Sequence, residues 1–191
     1  MKFIKRLVYA VQMGWRHRQQ LRKIYQQTQA RQLHQLSPEY LKQQGIEVLV
    51  LDFDGVLAAH GDILPTQECQ TWLQHCVEIF GASQIFILSN KPLPLRIAYF
   101  ATDFAGVRCI AGVRKKPYPD GLQQIMTLTA CLPQQILLAD DRLLTGVLAG
   151  CIAQVQVSYI ARPYVQLRNR PLQESFFMAL RVSERFLIQF L

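Results

Sequence analysis

The sequence predicts a three-layer α/β fold, a central parallel sheet with helices on both faces. Three observations predict it. Five short, mostly apolar runs, Glu47–Leu51, Gln84–Leu88, Val107–Ala111, Gln135–Ala139 and Val155–Ile160, read as strands of a buried parallel sheet. The intervals between them carry apolar residues at helical spacing, and such alternation implies parallel strands joined by helical crossovers. Polar clusters follow the runs at their carboxyl ends, where open α/β sheets place their sites.

At 191 residues and 50% hydrophobic, the chain suffices for one well-buried domain with appendages. The expected division is a basic amphipathic segment over 1–36, a core over 37–170 and an amphipathic helix over 171–191. Five scattered cysteines, Cys69, Cys76, Cys109, Cys131 and Cys151, are odd in number and form no CxxC pair. That usage fits a reducing, cytoplasmic compartment and excludes a zinc site. The net charge of +8 is uneven: of 21 Lys and Arg, eight precede Glu39, the first acid, and the remainder balances the 13 Asp and Glu. Whatever the basic charge attracts is therefore a partner of the N-terminal segment.

Taken in order, residues 1–31 hold no Pro and one Gly, with Phe3, Ile4, Leu7, Val8, Val11 and Trp15 at helical spacing and Lys and Arg opposite. The apolar run Leu7–Val11 is far short of the ~20 residues that span a bilayer, and it is no signal peptide. A basic amphipathic helix with aromatic residues suits peripheral contact with an anionic membrane on its cytoplasmic face. Packing on the chain's own core or on a partner is the equal alternative. Nucleic acid is not expected, since no stacking pattern accompanies the charge. Gln26–Gln35 is helix or connector, and Ser37-Pro38-Glu39 opens a helix. Thr66 caps a helix through Phe80, whose Cys69, Trp72, Cys76 and Phe80 recur as core residues. Further helices are predicted over Leu95–Phe104, after Pro119-Asp120, over Leu143–Cys151 and over Gln173–Leu191.

The chemistry lies in four clusters: Asp52 and Asp54, Ser89 and Asn90, Lys116, and Asp140 and Asp141. Phosphoryl transfer through an aspartyl intermediate needs a carboxylate nucleophile, a proton carrier, donors to the phosphoryl oxygens, a cation and an acid-held metal. The chain offers a candidate for each role. The bland readings are an Asp-Gly loop, a helix cap at Ser89-Asn90 and a solvated Lys116.

In this order the motifs DFDGV at 52–56, Ser89 in SN, Lys116 in KP and Asp141 in DDRLLTG resemble those of the haloacid dehalogenase (HAD) superfamily, from about Ser37 to Arg170. The resemblance implies a Rossmann-like core with Asp52 as nucleophile and Asp54 as general acid and base. It implies that Ser89 and Asn90 bind phosphate with Lys116, which neutralises charge on the nucleophile. It also implies that Mg2+ is held by Asp52, the backbone carbonyl of Asp54, and Asp141, with Asp140 beside it; the hard oxygen donors suit that ion. More narrowly, SPEYLKQQGIEVLVLDFDG, LSNK, RKKP and DRLLTGVLAG resemble the capless branch that includes phosphatidylglycerophosphate phosphatases. The short intervals leave no room for a cap domain, and an open site suits a bulky or surface-presented substrate such as a phosphorylated lipid. Two departures stand out. Gly55-Val56 replaces the branch's Asn-Thr, and the fourth motif, GDRLLTD in that branch, has Asp140 for Gly and Gly146 for the second Asp. Two rival readings remain: a phosphatase of soluble or protein phosphates, and a catalytically weak binding module, for which Gly146 speaks.

Overall fold

The computed structural model describes residues 2–27 and 32–190. Predicted features on 28–31 and Leu191 lie outside the described residues.

Five strands form one parallel sheet: β1 (Val48–Leu51), β2 (Ile85–Ile87), β3 (Arg108–Cys109), β4 (Ile136–Asp140) and β5 (Gln156–Tyr159), in the order β3-β2-β1-β4-β5. β1 is central because it is apolar on both faces, and Leu51 stands level with Ile87 on one side and Ala139 on the other. Successive side chains alternate between two cores. Leu49, Leu51, Ile85, Ile87 and Leu137 pack with Trp72, Leu73 and Phe100 of α4 (Gln67–Phe80) and α5 (Pro94–Asp103). Val48, Val50, Phe86 and Leu138 pack with Leu122 and Ile125 of α6 (Asp120–Thr129) and Ala149 of α7 (Leu148–Ala153). This is the three-layer α/β fold expected, with a single helix in each crossover and no cap domain among the described residues.

Local signals hold where they rest on capping chemistry. Ser37 Oγ accepts from the Tyr40 amide at 3.2 Å to start α3 (Pro38–Gln43), and Thr66 Oγ1 accepts from the Cys69 amide at 3.3 Å to start α4. Strand lengths differ more: the edge strand β3 pairs with β2 at only two residues, Arg108 and Cys109, against the five predicted.

The N-terminal segment forms two helices, α1 (Lys2–Arg16) and α2 (Arg18–Gln26), meeting at His17. Leu21 of α2 and Ile188 of α8 (Pro171–Phe190) share a third core with Leu143, Val147 and Tyr159. Arg22 binds the end of α8, its Nε donating to the Ile188 carbonyl at 3.0 Å. The terminal helices thus pack on each other and on the core.

α8 is inverted in polarity. Glu174, Arg181 and Glu184 face inward and are buried, whereas Leu172, Phe176, Val182, Phe186 and Phe190 are exposed. α1 likewise exposes Ile4, Leu7, Val8, Val11 and Trp15.

Candidate active site

Asp52 follows β1 directly, its amide donating to the Ala139 carbonyl at 3.0 Å, so the strand ladder fixes the residue at the sheet's carboxyl edge. The chain then turns back on itself. Amides of Val56, Leu57 and Ala58 all donate to the Phe53 carbonyl, and Gly55 sits at φ +87°. Glycine is required there twice over: the φ is left-handed, and a Cβ would lie 2.4 Å from Asp141 Oδ2 and 2.7 Å from Arg181 Nη2.

Lys116 is the electrostatic centre. Its buried ammonium lies 3.0 Å from Asp52 Oδ1 and 2.5 Å from Asp140 Oδ2. Burial works against its charge, but Asp140 and Asp52 hold the ammonium above its ordinary value, so it stays a cation. Asn90 positions it: Asn90 Oδ1 accepts from the Lys116 amide at 2.7 Å, and Nδ2 donates to the Lys116 carbonyl at 3.4 Å. Ser89 Oγ accepts from the Lys91 amide at 3.1 Å. Ser89, Asn90 and Lys116 line one cavity of ≈ 170 Å3, together with Arg114, Lys115 and Tyr118. Tyr9 of α1 stacks on Tyr118 with ring centroids 4.4 Å apart.

One oxygen each from Asp52, Asp140 and Asp141 falls within 4.8 Å of the others. Burial pushes the Asp52 carboxyl up to about 8 and that of Asp141 up to about 6, with the neighbouring acids adding to the rise and Lys116 and Arg181 opposing it. Packing acids this tightly is unfavourable, and Lys116 and Arg181 offset it only in part. The Asp54 carboxylate lies apart from this trio. It is gripped by Arg96, and its Oδ1 also accepts from the Gly61 amide at 3.1 Å.

The fourth motif shows why Gly146 is there. Leu143–Val147 forms a wide π-type turn rather than the regular helix predicted, and it brings Gly146 against Asp140. A Cβ at 146 would lie 1.7 Å from Asp140 Oδ2. The acid at 140 and the glycine at 146 therefore go together: the Asp140 carboxylate fills the space that a side chain at 146 would need.

Two arginines escape the motif reading. Arg96 of α5 is buried over the Phe53 ring at 3.8 Å, and Arg181 of α8 donates from Nε to Asp141 Oδ2 at 2.5 Å. α8 itself is anchored by Glu174, whose Oε1 accepts from the amides of His60 and Gln166. Rather than standing open, the Asp141 side of the site is thus closed by α8. A signal for Arg96 existed: it is the single charge between Lys91 and Asp103.

The chain matches the family model described as mitochondrial PGP (phosphatidylglycerophosphate) phosphatase over residues 16–159. No curated protein matches. Among solved structures, one of an uncharacterized protein from Corynebacterium glutamicum ATCC 13032 Kitasato, determined at 1.44 Å, is 22% identical. It covers 71% of this chain and 95% of that one, with a TM-score of 0.47. With the family model spanning most of the sheet and all four motifs, the chain belongs to the PGP phosphatase family, a HAD-type family, and is a phosphatase.

Proposed function

We propose that the chain hydrolyses phosphatidylglycerophosphate, or a lipid monoester like it, through an aspartyl-phosphate on Asp52. The observation that carries this reading is the Asp52–Lys116 ion pair at the end of β1, beside a cavity lined by Ser89 and Asn90. Asp52 attacks phosphorus, the bond to the lipid alcohol oxygen breaks, and Asp54 gives that oxygen its proton. Water then loses a proton to Asp54 and attacks the phosphoryl group, the Asp52–phosphorus ester bond breaks, and inorganic phosphate leaves. Lys116 offsets charge on the nucleophile and the phosphoryl oxygens, while Ser89 and Asn90 supply donors.

The donor set fits Mg2+. Three carboxylates converge, and Asp141 Oδ1 is buried without a hydrogen-bond partner. Asp52, Asp141 and Asp140 would hold the ion together with the Asp54 backbone carbonyl. When bound, it supplies Lewis-acid polarisation of a phosphoryl oxygen.

Membrane contact through residues 1–31 accompanies this reading. The support is the exposed apolar face of α1 within a segment free of acids. No helix among the described residues is long and apolar enough to cross a membrane, so the contact is peripheral through these helices.

The test is phosphate release from vesicle-borne phosphatidylglycerophosphate beside soluble monoesters, with wild type and Asp52→Asn. The variant should keep its far-UV spectrum and lose turnover by several orders of magnitude; retained turnover would sink the mechanism. Preference for a soluble monoester would support the rival substrate class. Sedimentation with anionic liposomes that survives deletion of residues 1–31 would remove the membrane role of that segment.

A further inference from the structure

α8 lies beyond the residues that match the family model, which end at 159. It nevertheless places Arg181, only 3% exposed, against Asp141, which is 1% exposed. The grip is one-pronged. Arg181 Nε donates to Asp141 Oδ2, while Nη1, Nη2 and Asp141 Oδ1 are all buried without hydrogen-bond partners. A guanidinium placed simply to neutralise a buried carboxylate would take both oxygens, since the two-pronged pair is the stronger. Taking only one leaves Oδ1 buried and uncommitted, on a carboxylate that offers one of its oxygens to the cluster with Asp52 and Asp140. Nη2 also packs where a Gly55 side chain would be, so the guanidinium is wedged between the nucleophile turn and Asp141. The helix that carries it is held on both sides. Glu174 binds the 60 and 166 amides, Glu184 pairs with Arg142, and Arg22 binds the helix end.

We infer that Arg181 is a positioning residue for the metal site: α8 supplies it to aim Asp141 at a divalent cation. The inference rests on the proposed Mg2+ site and deepens it. α8 is then part of the active site, and its inward charges and outward apolar residues follow from that duty.

The test is calorimetric titration of the full chain with Mg2+ and with Mn2+, the latter also followed by its electron paramagnetic resonance signal. Arg181→Met should weaken binding about tenfold or more, and Arg181→Lys, which keeps the charge but loses the guanidinium plane, by about threefold. Equal or tighter binding by either folded variant overturns the inference, the tighter case identifying Arg181 as a competitor of the metal. If Arg181→Met does not fold, as judged by far-UV circular dichroism, Arg181→Lys decides alone on the same criterion. A wild-type chain that binds neither ion removes the metal site itself, a different outcome from a wild type that binds and variants that bind equally.

Discussion

Arg96 holds Asp54 in a two-pronged ion pair, Nη2 to Oδ1 at 2.7 Å and Nη1 to Oδ2 at 3.1 Å. Against burial, which raises it, the hydrogen bonds and charge of Arg96 keep the Asp54 carboxyl below its ordinary value. A proton carrier held this way is a weak base, and only a small fraction of it carries the proton it must give at neutral pH. Arg96→Gln should raise the Asp54 value, so the limb of the pH–rate profile that Asp54 governs moves to higher pH. It should also cost about 3 kcal/mol of stability, as breaking buried pairs does. A profile in Arg96→Gln that overlays the wild type would remove Arg96 from this role.

Gly146→Ala should destabilise the chain by roughly 3 kcal/mol, because the new methyl displaces Asp140 and breaks its pair with Lys116. The paired exchange of Asp140→Gly with Gly146→Asp should be more stable to urea than Gly146→Asp alone. If the double variant is the weaker of the two, the two positions are not exchanging one carboxylate.

His60 is buried against Phe177, with Glu174 Oε2 3.4 Å from its Nδ1. Burial and the nearby Arg181 lower it from 6.5 to about 4, so it folds neutral. A depressed value contributes stability above pH 6.5 that is lost as pH falls through the folded value. The loss should reach on the order of 2 kcal/mol by about pH 4, relative to His60→Gln measured by thermal melts at the same pH values. Parallel melting curves for the two proteins would count against a neutral His60.

Divalent cations bind the ionised carboxylates, and the two most relevant acids lose protons at about 8 for Asp52 and about 6 for Asp141. The rise in melting temperature on replacing chelator with Mg2+ should therefore be larger at about pH 8 than at about pH 6. An increment that shrinks as pH rises would place the ion elsewhere.

The sheet was legible because strands buried on both faces must be apolar throughout, and Val48–Leu51 has no other reading. Asp52, Ser89, Lys116 and Asp140 were legible because strand ends are where an α/β chain exposes chemistry. Arg181 was not, and Arg96 was only as a lone charge, because each belongs to a helix whose periodicity describes its own faces and nothing of the strand end it meets. α8 misleads further: a hydrophobic pattern normally marks the inner face, yet in this helix Glu174, Arg181 and Glu184 share the inner face with Ile188, each charge held by a partner on the core. The wide turn at Leu143–Val147 was hidden too, since the close fit of Gly146 against Asp140 that goes with it is a tertiary contact that no helical periodicity reports.

The stack of Tyr9 on Tyr118 ties the segment that carries the chain's unbalanced positive charge to a wall of the cavity beside Lys116. On the proposed reading, capture by that segment and chemistry beside Lys116 share one rim of the molecule. An anionic molecule or surface drawn by long-range attraction would then arrive already at the mouth, leaving a short, local search.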